Sequence, residues 1–445
     1  METSRIIDTV RALLEARPLD GWEITAASSR TLSIEVKEQK VDSFKCAEPV
    51  GVSIRVLKGG GMGFSFSTSM DEADLTRMVE NALVGAAAQT PDEFHGFPSP
   101  ADYPEISDLF DEGLAAVAEE EKVGRALTLE RLVLAADPRV RKVRKAAYSE
   151  STVAMRIVNS CGVDGSYRGT SVSASVSAIA EEDGQSQMGW DFDFRNRFAD
   201  LAVEPIAARA AAKATGLLGA GKIPTMRCPA VLDSYVASEI LEILAPAFLA
   251  ENVQKGKSLL AGKKGERLFA PLLRIRDDGT LPGGAGTAPF DAEGVPRRNT
   301  VLVEDGVLRG YLYDTLRAMK EGCESTGNAS RGGIKSPPHM GISNLFIENG
   351  TMPLEGLCAG IDRGILVTDV MGMHTANPIS GDFSVGASGF LIENGRVARP
   401  VKGVAIAGNI LDLFRSVEAV GNDLRFYGSV GAPSLRIAAL DVSGE

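Results

Sequence analysis

Short apolar runs alternate with turn-forming residues through most of the second half of the chain, and this pattern leaves little room for long helices. Beyond about residue 250, glycines and prolines recur roughly every 8–12 positions, a spacing typical of short antiparallel strands joined by turns. We therefore expect a curled antiparallel sheet or a barrel in this half. The chain contains 48 glycines without a collagen-like period, which fits a protein with many tight turns.

The first half of the chain mixes amphipathic helices with alternating strands. Ile7, Val10 and Leu14 fall on one helical face. Apolar and polar residues alternate around 32–37 and 52–56, which predicts strands there. The same patterns predict helices at 71–88, 119–136 and 205–218, and further strands between 143 and 180.

An alanine-rich helix that ends at Gly219 marks the domain boundary that we expect. The predicted fold class is α+β with two domains. The N-terminal domain, 1–219, is of the α/β type, with a sheet and helices. The C-terminal domain, 220–445, is mainly antiparallel and barrel-like, and it carries one long helix at 234–249.

Charge and hydropathy exclude several classes of function. The net charge of −12 at pH 7 opposes direct contact with nucleic acid or with an anionic membrane surface. No apolar stretch approaches the roughly 20 residues that a membrane span needs, and early charges are unlike a secretory signal. The five cysteines are scattered without a CxxC pair, as is typical of reduced thiols in a cytoplasm. We therefore expect a cytoplasmic protein without a membrane segment.

Common catalytic and cofactor motifs are absent from the sequence. A phosphate loop fails because Glu251 stands where a glycine is required five residues before Gly256, and no GxSxG occurs. The three histidines, His95, His339 and His374, lie too far apart for one helix to present two of them to a metal. A composite metal site from distant loops stays open as an alternative. No cofactor is predicted.

Several polar stretches remain as candidate sites. Asp291 and Glu293 would point to one face of an extended chain as paired acids, but a carboxylate turn before Pro296 is the favoured interpretation. The C-terminal part also contains segments dense in Asn, Asp and Gly, which fit tight turns around a groove. These segments are 374–384, 407–410 and 420–424.

These stretches resemble the TldD/PmbA family, and the resemblance extends over essentially the whole chain. The residues that carry it are the 50–56 strand, Asn-Ser-Cys-Gly at 159–162, Phe-Asp-Ala-Glu-Gly at 290–294, Ser-Thr-Gly-Asn-Ala at 325–329 and the C-terminal segments. The resemblance implies two paralogous subunits that pair in the cytoplasm, a TldD-like zinc metalloprotease and a PmbA-like (TldE-like) chain of similar fold. It also implies proteolytic trimming or degradation of small or unfolded peptides.

The zinc motif that the resemblance implies for the TldD branch is missing here. That motif is HExxxH on a helix, with a cysteine ligand near the C-terminus. Ser234, Tyr235 and Glu239 fall at the positions of the first His, the Glu and the second His, and no cysteine occurs between 422 and 433. A single carboxylate cannot hold zinc at useful affinity. The resemblance therefore implies the PmbA (TldE) branch, without a metal site, catalytic residue or cofactor of its own.

We therefore expect a non-catalytic subunit that forms a heterodimer with a TldD-like catalytic subunit and helps to enclose a peptide substrate. When alone, the chain is expected to form a homodimer. The substrate-groove candidates are His374, Asn377, Asp382 and Asn409. Two alternatives stay open: an autonomous peptidase with an unrecognised site, such as His374 with Asp382 or Glu239, and a gyrase-modulating regulator that acts through protein contacts.

Overall fold

The computed structural model describes residues 2–445, with side chains from Arg5 onward. It has the predicted α+β architecture. The α-helices are α1 (Glu2–Glu15), α2 (Glu72–Ala88), α3 (Glu119–Ala136), α4 (Glu204–Gly216), α5 (Ser234–Leu244), α6 (Ala250–Gln254), α7 (Thr315–Glu321), α8 (Leu354–Cys358) and α9 (Ile410–Arg415). Short 3-10 helices occupy Leu114–Ala116, Phe198–Asp200, Ala245–Phe248 and Met373–Thr375.

A curled antiparallel sheet of seven strands forms the N-terminal part. Its strands are β1 (Gly21–Lys37), β2 (Lys40–Ala47), β3 (Val50–Lys58), β4 (Gly61–Ser67), β5 (Val140–Asn159), β6 (Asp164–Glu182) and β7 (Gln185–Arg195). The spatial order is β4-β3-β1-β5-β6-β7, and β2 pairs with the second part of β1. Ile24 of β1 lies opposite Ile54 of β3 on one side and Val158 of β5 on the other.

The even-numbered residues of β1 point to the sheet face that the helices cover, because side chains alternate along a strand. Ile24 and Ala26 pack in a core with α1 and α2. Leu32 and Ile34 pack in a second core with α3 and α4.

Five strands of the C-terminal part close into a barrel, in the order β17-β16-β15-β8-β21 and back to β17, so the barrel-like prediction is confirmed. A second sheet has the order β11-β10-β9-β14-β20-β19, and β18 pairs with β21 outside the ring. The strands are β8 (Met226–Leu232), β9 (Ile275–Asp278), β10 (Asn299–Glu304), β11 (Val307–Leu308), β12 (Ala329–Ser330), β13 (His339–Met340), β14 (Leu345–Ile347), β15 (Arg363–Met371), β16 (Asp382–Glu393), β17 (Arg396–Asn409), β18 (Val417–Val420), β19 (Arg425–Tyr427), β20 (Val430–Ala432) and β21 (Leu435–Ser443).

Helix α5 packs between the barrel and the second sheet. Its buried residues Val236 and Ile240 belong to one large core, together with Val367 of the barrel strand β15 and Val430 of β20. Most of α5 is apolar, but Glu239 and Glu242 lie together on its remaining side, where Glu242 is exposed. The residues at its N-terminus, by contrast, face the N-terminal sheet.

The helix that the sequence predicts over 234–249 is shorter in the structure. It ends at Leu244, and a 3-10 turn, Ala245–Phe248, leads into α6. Pro246 is the physical reason, since proline has no N–H to donate and its ring clashes with the preceding helical turn.

In the N-terminal sheet, the strands β2 and β7 are not predicted by the sequence patterns. Residues of β2 are almost all exposed, so the strand lacks the apolar alternation that reveals a half-buried strand. The proposed boundary at 219/220 stays a prediction; β7 and α4 complete the N-terminal sheet before it, and β8 begins the barrel after it. Within residues 2–445, no helix has both the length and the apolar character needed to cross a membrane.

Candidate functional site

The three positions of the missing zinc motif lie on α5. The helix begins at Ser234 because the Asp233 carboxylate caps it, accepting a hydrogen bond from the Val236 N–H at 2.9 Å. The Ser234 hydroxyl lies 3.2 Å from the hydroxyl of Tyr427. Glu239 follows on the next turn and is partly buried. The start of α5 is therefore held by a cap and by a strand of the second sheet.

Tyr235 belongs to an aromatic cluster that joins the N-terminal sheet to the C-terminal part. We define this aromatic cluster as Trp190, Phe192, Tyr235 and Tyr427. The Trp190 and Tyr235 rings meet edge to face with centroids 5.3 Å apart, and Tyr235 and Tyr427 lie 5.2 Å apart. Phe192 completes the cluster, at 6.1 Å from both Trp190 and Tyr427. Such geometries are favourable for aromatic pairs.

A buried carboxylate fixes the strand that carries this cluster. The side chain of Asp191 is completely buried, and it accepts hydrogen bonds from Arg209 at 2.7 Å and Arg425 at 2.9 Å. The Lys213 ammonium lies 3.6 Å from the same carboxylate and 4.8 Å from the centre of the Trp190 ring. Lys213 therefore makes a cation–π contact as well as an ion pair.

Beside Tyr235 lies a cavity of about 330 Å³, which we call the α5 pocket. Apolar side chains form most of its wall, and Lys213, Asp233, Thr368 and Asp369 supply its polar groups. The apolar lining consists of Met188, Trp190, Ala212, Leu217, Leu354, Leu366 and Phe390, with Gly189 and Tyr235. A cavity of this size with few polar groups is typical of a site for a small ligand or for one side chain of a larger one.

The carboxyl groups around the pocket hold their protons unusually tightly. Burial raises the pKa of Asp233 to about 7, although the Val236 N–H and Lys213 act in the opposite direction. Burial likewise raises the pKa of Asp369 and that of Glu239. The charge of Asp233, which lines the pocket, therefore changes near neutral pH.

The side chains at the motif positions do not fit a zinc ion. The Ser234 hydroxyl is engaged with Tyr427, and the ring of Tyr235 packs in the aromatic cluster. Glu239 alone offers a carboxylate, whereas a catalytic zinc needs three protein ligands. Within the part of the chain that the structure describes, no group of three or more His, Cys, Asp or Glu residues is arranged to hold a metal ion.

Three of the four groove candidates meet where β16 begins and β17 ends. The Asn409 amide donates to Asp382 at 3.0 Å, and the Asn377 N–H donates to the carbonyl of Asp382 at 2.9 Å. Asn409 also caps α9. His374 is exposed in the neighbouring 3-10 turn, outside this hydrogen-bonded group. The polar groups of Asn377, Asp382 and Asn409 thus bind one another or cap a helix, and their role in a groove stays a prediction.

The candidate acids Asp291 and Glu293 point to different partners. Asp291 accepts hydrogen bonds from the N–H groups of Glu293, Val295 and Ala329, which is the carboxylate turn that the sequence favours. Glu293 binds Arg55 of β3 at 2.8 Å. The two carboxylates therefore do not act as a pair on a substrate.

Glu293 belongs to a second buried cluster between the N-terminal sheet and the C-terminal part. We call it the ion network: Glu23, Arg55, Glu293 and Arg331. Arg55 donates to Glu23 through Nε at 3.0 Å, and Arg331 lies 3.4 Å from Glu23. No local signal predicts this network, because Arg55 and Glu293 are 238 positions apart.

Sequence patterns also miss the residues that form the α5 pocket. Trp190 and Lys213 come from β7 and α4, whereas Leu366 and Asp369 come from β15. The one available signal is rarity, since Trp190 is one of two tryptophans in the chain.

Family models match successive parts of the chain. They describe the PmbA/TldA metallopeptidase, with domain 1 over residues 22–86, the central domain over 112–218 and the C-terminal domain over 225–444. Metalloprotease PmbA of Escherichia coli O157:H7 is 27% identical over 431 residues, which cover 96% of this chain and 93% of that protein. The chain therefore has the three-domain organisation described by the PmbA/TldA metallopeptidase models.

Solved structures match the whole fold. A Thermotoga maritima protein described as a candidate modulator of a DNA gyrase has a TM-score of 0.90 at 31% identity, over 99% of this chain and 100% of that one. TldE from Thermococcus kodakarensis has a TM-score of 0.90 at 26% identity, over 99% of each chain. The chain belongs to the PmbA/TldD family.

Proposed function

We propose that this chain is the non-catalytic, PmbA (TldE)-like subunit of a cytoplasmic zinc metalloprotease whose catalytic chain is TldD-like. The observation that carries the proposal is the chemistry of α5. Ser234, Tyr235 and Glu239 occupy the motif positions and bind or pack within the protein. The similarity to TldE supports the same branch. The complex would degrade or trim small or unfolded peptides.

The contribution of this subunit would be to hold an extended peptide. The α5 pocket accepts one apolar side chain against Trp190, Leu366 and Phe390, while the peptide backbone stays outside. Two polar residues that line the pocket can bind the peptide backbone: Lys213 can donate to a C=O group, and Asp369 can accept from an N–H group. Because residues of both the N-terminal sheet and the barrel line the pocket, its shape depends on how these two parts pack against each other.

Reconstitution with a TldD-like chain from the same organism tests the catalytic part of the proposal. We expect hydrolysis of an unfolded fluorogenic peptide by the mixture and none by this chain alone. Hydrolysis by the isolated chain that disappears in His374→Ala would instead support an autonomous peptidase. Equal activity of the TldD-like chain with and without this one would show that the subunit role is wrong.

Tryptophan fluorescence tests peptide binding to the isolated chain. A Trp22→Phe background leaves Trp190 as the single tryptophan, because the chain has two. We expect saturable change in its emission on addition of the unfolded peptide, and loss of that change in Ala212→Phe, which fills the exposed rim of the pocket. The matched control is Ala208→Phe, at another exposed position of α4 outside the pocket. No change in the parent, or the same loss in both variants, would contradict binding in the pocket.

A gyrase-modulating regulator is the second candidate, favoured by the description of the Thermotoga maritima protein. The net charge of −12 opposes direct DNA contact, so such a role would use protein contacts. A pull-down with purified gyrase subunits tests it. Retention of gyrase by this chain would support the regulator, and its absence would remove this candidate.

We further propose that two copies of this chain pair when no TldD-like partner is present. Sedimentation velocity measures this directly, since the single chain has a mass of 47.0 kDa. We expect a species of twice that mass. A monomer at micromolar concentration would contradict self-association.

A further inference from the structure

The outer edge of β2 is uncovered in the N-terminal sheet. The first part of β1 pairs with β3 and its second part with β2, so β2 and β3 follow one another along the same side of β1. β4 then covers β3, from Lys58 opposite Gly61 to Val52 opposite Ser67, and stops there. Among the described strands, none pairs with the other edge of β2.

A β-bulge at Asp42 sets Val41 opposite Val36, so the apolar side chains of this edge lie on the sheet face of Ile34 and Leu32. Val41 is 46% exposed and Phe44 43% exposed, and the thiol residue Cys46 is exposed as well. Phe66, at the end of β4 beside the uncovered edge, is 40% exposed. An edge without proline is a template for pairing with another strand unless charges or a bulge oppose it, and the bulge at Asp42 leaves 43–47 as the regular part of this edge. The charges here are Lys40, Asp42 and Lys45, and their pattern decides which strand can bind.

The apolar side of this edge continues a buried core. Phe44 lies opposite Ile34 of β1, and Cys46 lies opposite Leu32. Ile34 and Leu32 are buried beneath α3 in the same core. Facing residues of an antiparallel pair share one sheet face, so Phe44 and Cys46 form the open rim of that core. A strand added to β2 would close the rim.

The strand is self-complementary in one antiparallel register. In a two-fold pair about an axis normal to the sheet, facing residues have the same parity, since both copies present the same face. Registers centred on Asp42 or Lys45 bring like charges together, which destabilises a pair. A register centred on Ser43 sets Asp42 against Phe44. The register centred on Phe44 avoids these conflicts and pairs Phe44 with Phe44, Ser43 with Lys45 and, where the bulge begins, Asp42 with Cys46.

We propose that β2 of one copy pairs antiparallel with β2 of a second copy, with the two-fold axis at Phe44, so that the two N-terminal sheets become continuous. This inference rests on the self-association included in the proposed function and names its surface. The Phe44 rings meet across the axis. The α3 helices of both copies then lie on the same face of the joined sheet.

A cysteine cross-link tests the register. Facing Cα atoms in an antiparallel pair are roughly 4.5–5.5 Å apart, within the roughly 4.4–6.8 Å that a disulfide spans. The background carries Cys161→Ser and Cys323→Ser, which remove the other exposed thiols. Asp42→Cys then faces the native Cys46 of the second copy. Mild oxidation with oxidised glutathione is expected to convert most of this variant to a covalent dimer that a reductant reverses.

The matched control is Ser43→Cys, one position along and on the other sheet face. It faces Lys45 in the proposed register, so we expect little cross-linking. Equal cross-linking of both variants would indicate random collision. Absence of the cross-link in Asp42→Cys, while sedimentation still shows a dimer, would overturn this register.

A charge at the axis tests the surface independently of the cross-link. Phe44→Lys sets two ammonium groups against each other, and we expect the sedimenting mass to fall from that of a dimer to 47.0 kDa. Val84→Lys changes a residue that is 70% exposed on α2 and should leave the dimer intact. A dimeric Phe44→Lys variant would show that another surface is used. A monomeric wild-type chain would instead disprove self-association itself.

Discussion

Two charged clusters lie between the N-terminal sheet and the C-terminal part, and they differ in how far their charged side chains are exposed. In the ion network, the side chains of Arg55, Glu23 and Glu293 are 9%, 1% and 5% exposed, and their charges face each other. At the α5 pocket, Lys213 is 31% exposed and shares an open cavity with Asp369. A cavity of about 370 Å³ also adjoins Arg55 and Glu293 of the ion network, so neither buried charge nor unfilled space alone identifies a site.

The two clusters also differ in how much stability a mutation is expected to remove. A buried ion network contributes little net stability, because desolvation offsets the attraction, but loss of one partner leaves a buried charge unpaired. The α5 pocket is open to solvent at one side, so its charged groups can change partner or protonation state at smaller cost. Mutations should therefore affect stability at the ion network more strongly than at the pocket.

The largest effect is expected for Arg55→Met, which leaves Glu23 and Glu293 without their shared cation. We expect the free energy of unfolding to fall by about 3–5 kcal/mol, measured by urea denaturation. The matched control is Arg77→Met, because Arg77 is 70% exposed in its ion pair and such pairs contribute about 0–1 kcal/mol. Similar losses of unfolding free energy in both variants would remove the distinction between a buried network and a surface pair.

A smaller loss is expected where the backbone itself forms the wall of the α5 pocket. A Cβ at Gly189 would lie 2.3 Å from the Ala210 carbonyl oxygen and from the Ala214 nitrogen of α4. Gly189→Ala should therefore push α4 away from β7 and lower the free energy of unfolding by about 1–3 kcal/mol. Gly124→Ala on α3 meets no atom within 4 Å and should instead raise it by about 0.5–1 kcal/mol. The free energy of unfolding would be measured by urea or thermal denaturation. An unchanged value in Gly189→Ala would contradict this packing of α4 against β7.

The smallest effect concerns the proton on Asp233. Its pKa is raised to about 7 from an ordinary 3.8, mainly by burial. Because the folded chain holds this proton more tightly than the unfolded chain, the stability that it contributes is full below about pH 4 and is lost as the pH rises through 7.

Asp233→Asn retains an oxygen that can cap α5 but cannot ionise. We expect the decline in the free energy of unfolding between pH 5 and pH 8 to be smaller in this variant than in the wild type, by on the order of 1 kcal/mol. Asp291, whose pKa is also raised to about 7, titrates in both proteins, so the difference isolates Asp233. Parallel pH profiles for the two proteins would contradict the raised pKa.

Local patterns predict those parts of the fold that bury one face. The stripe of Ile7, Val10 and Leu14 predicts α1, and the regular turn spacing predicts the barrel, because both record burial within a few residues. The same logic fails for β2, whose two faces are exposed, and for the end of α5, where Pro246 outweighs the apolar pattern.

The candidate site depends on contacts that no local pattern contains. Ser234, Tyr235 and Glu239 are recognised through the resemblance to the family rather than from spacing. Trp190 and Leu366, which both line the α5 pocket, come from β7 and from the barrel strand β15 and are brought together only by tertiary packing. The pocket therefore depends on how distant elements of the chain pack together, which local residue patterns do not record.

Zinc binding by the isolated chain tests the central claim most directly, namely that α5 cannot hold a catalytic metal. The purified chain and its TldD-like partner would be loaded with excess zinc, dialysed together and analysed by mass spectrometry for metal per chain. We predict one retained zinc for the partner and far less than one for this chain. A full equivalent of tightly held zinc on this chain alone, released when Glu239→Gln is introduced, would contradict the account.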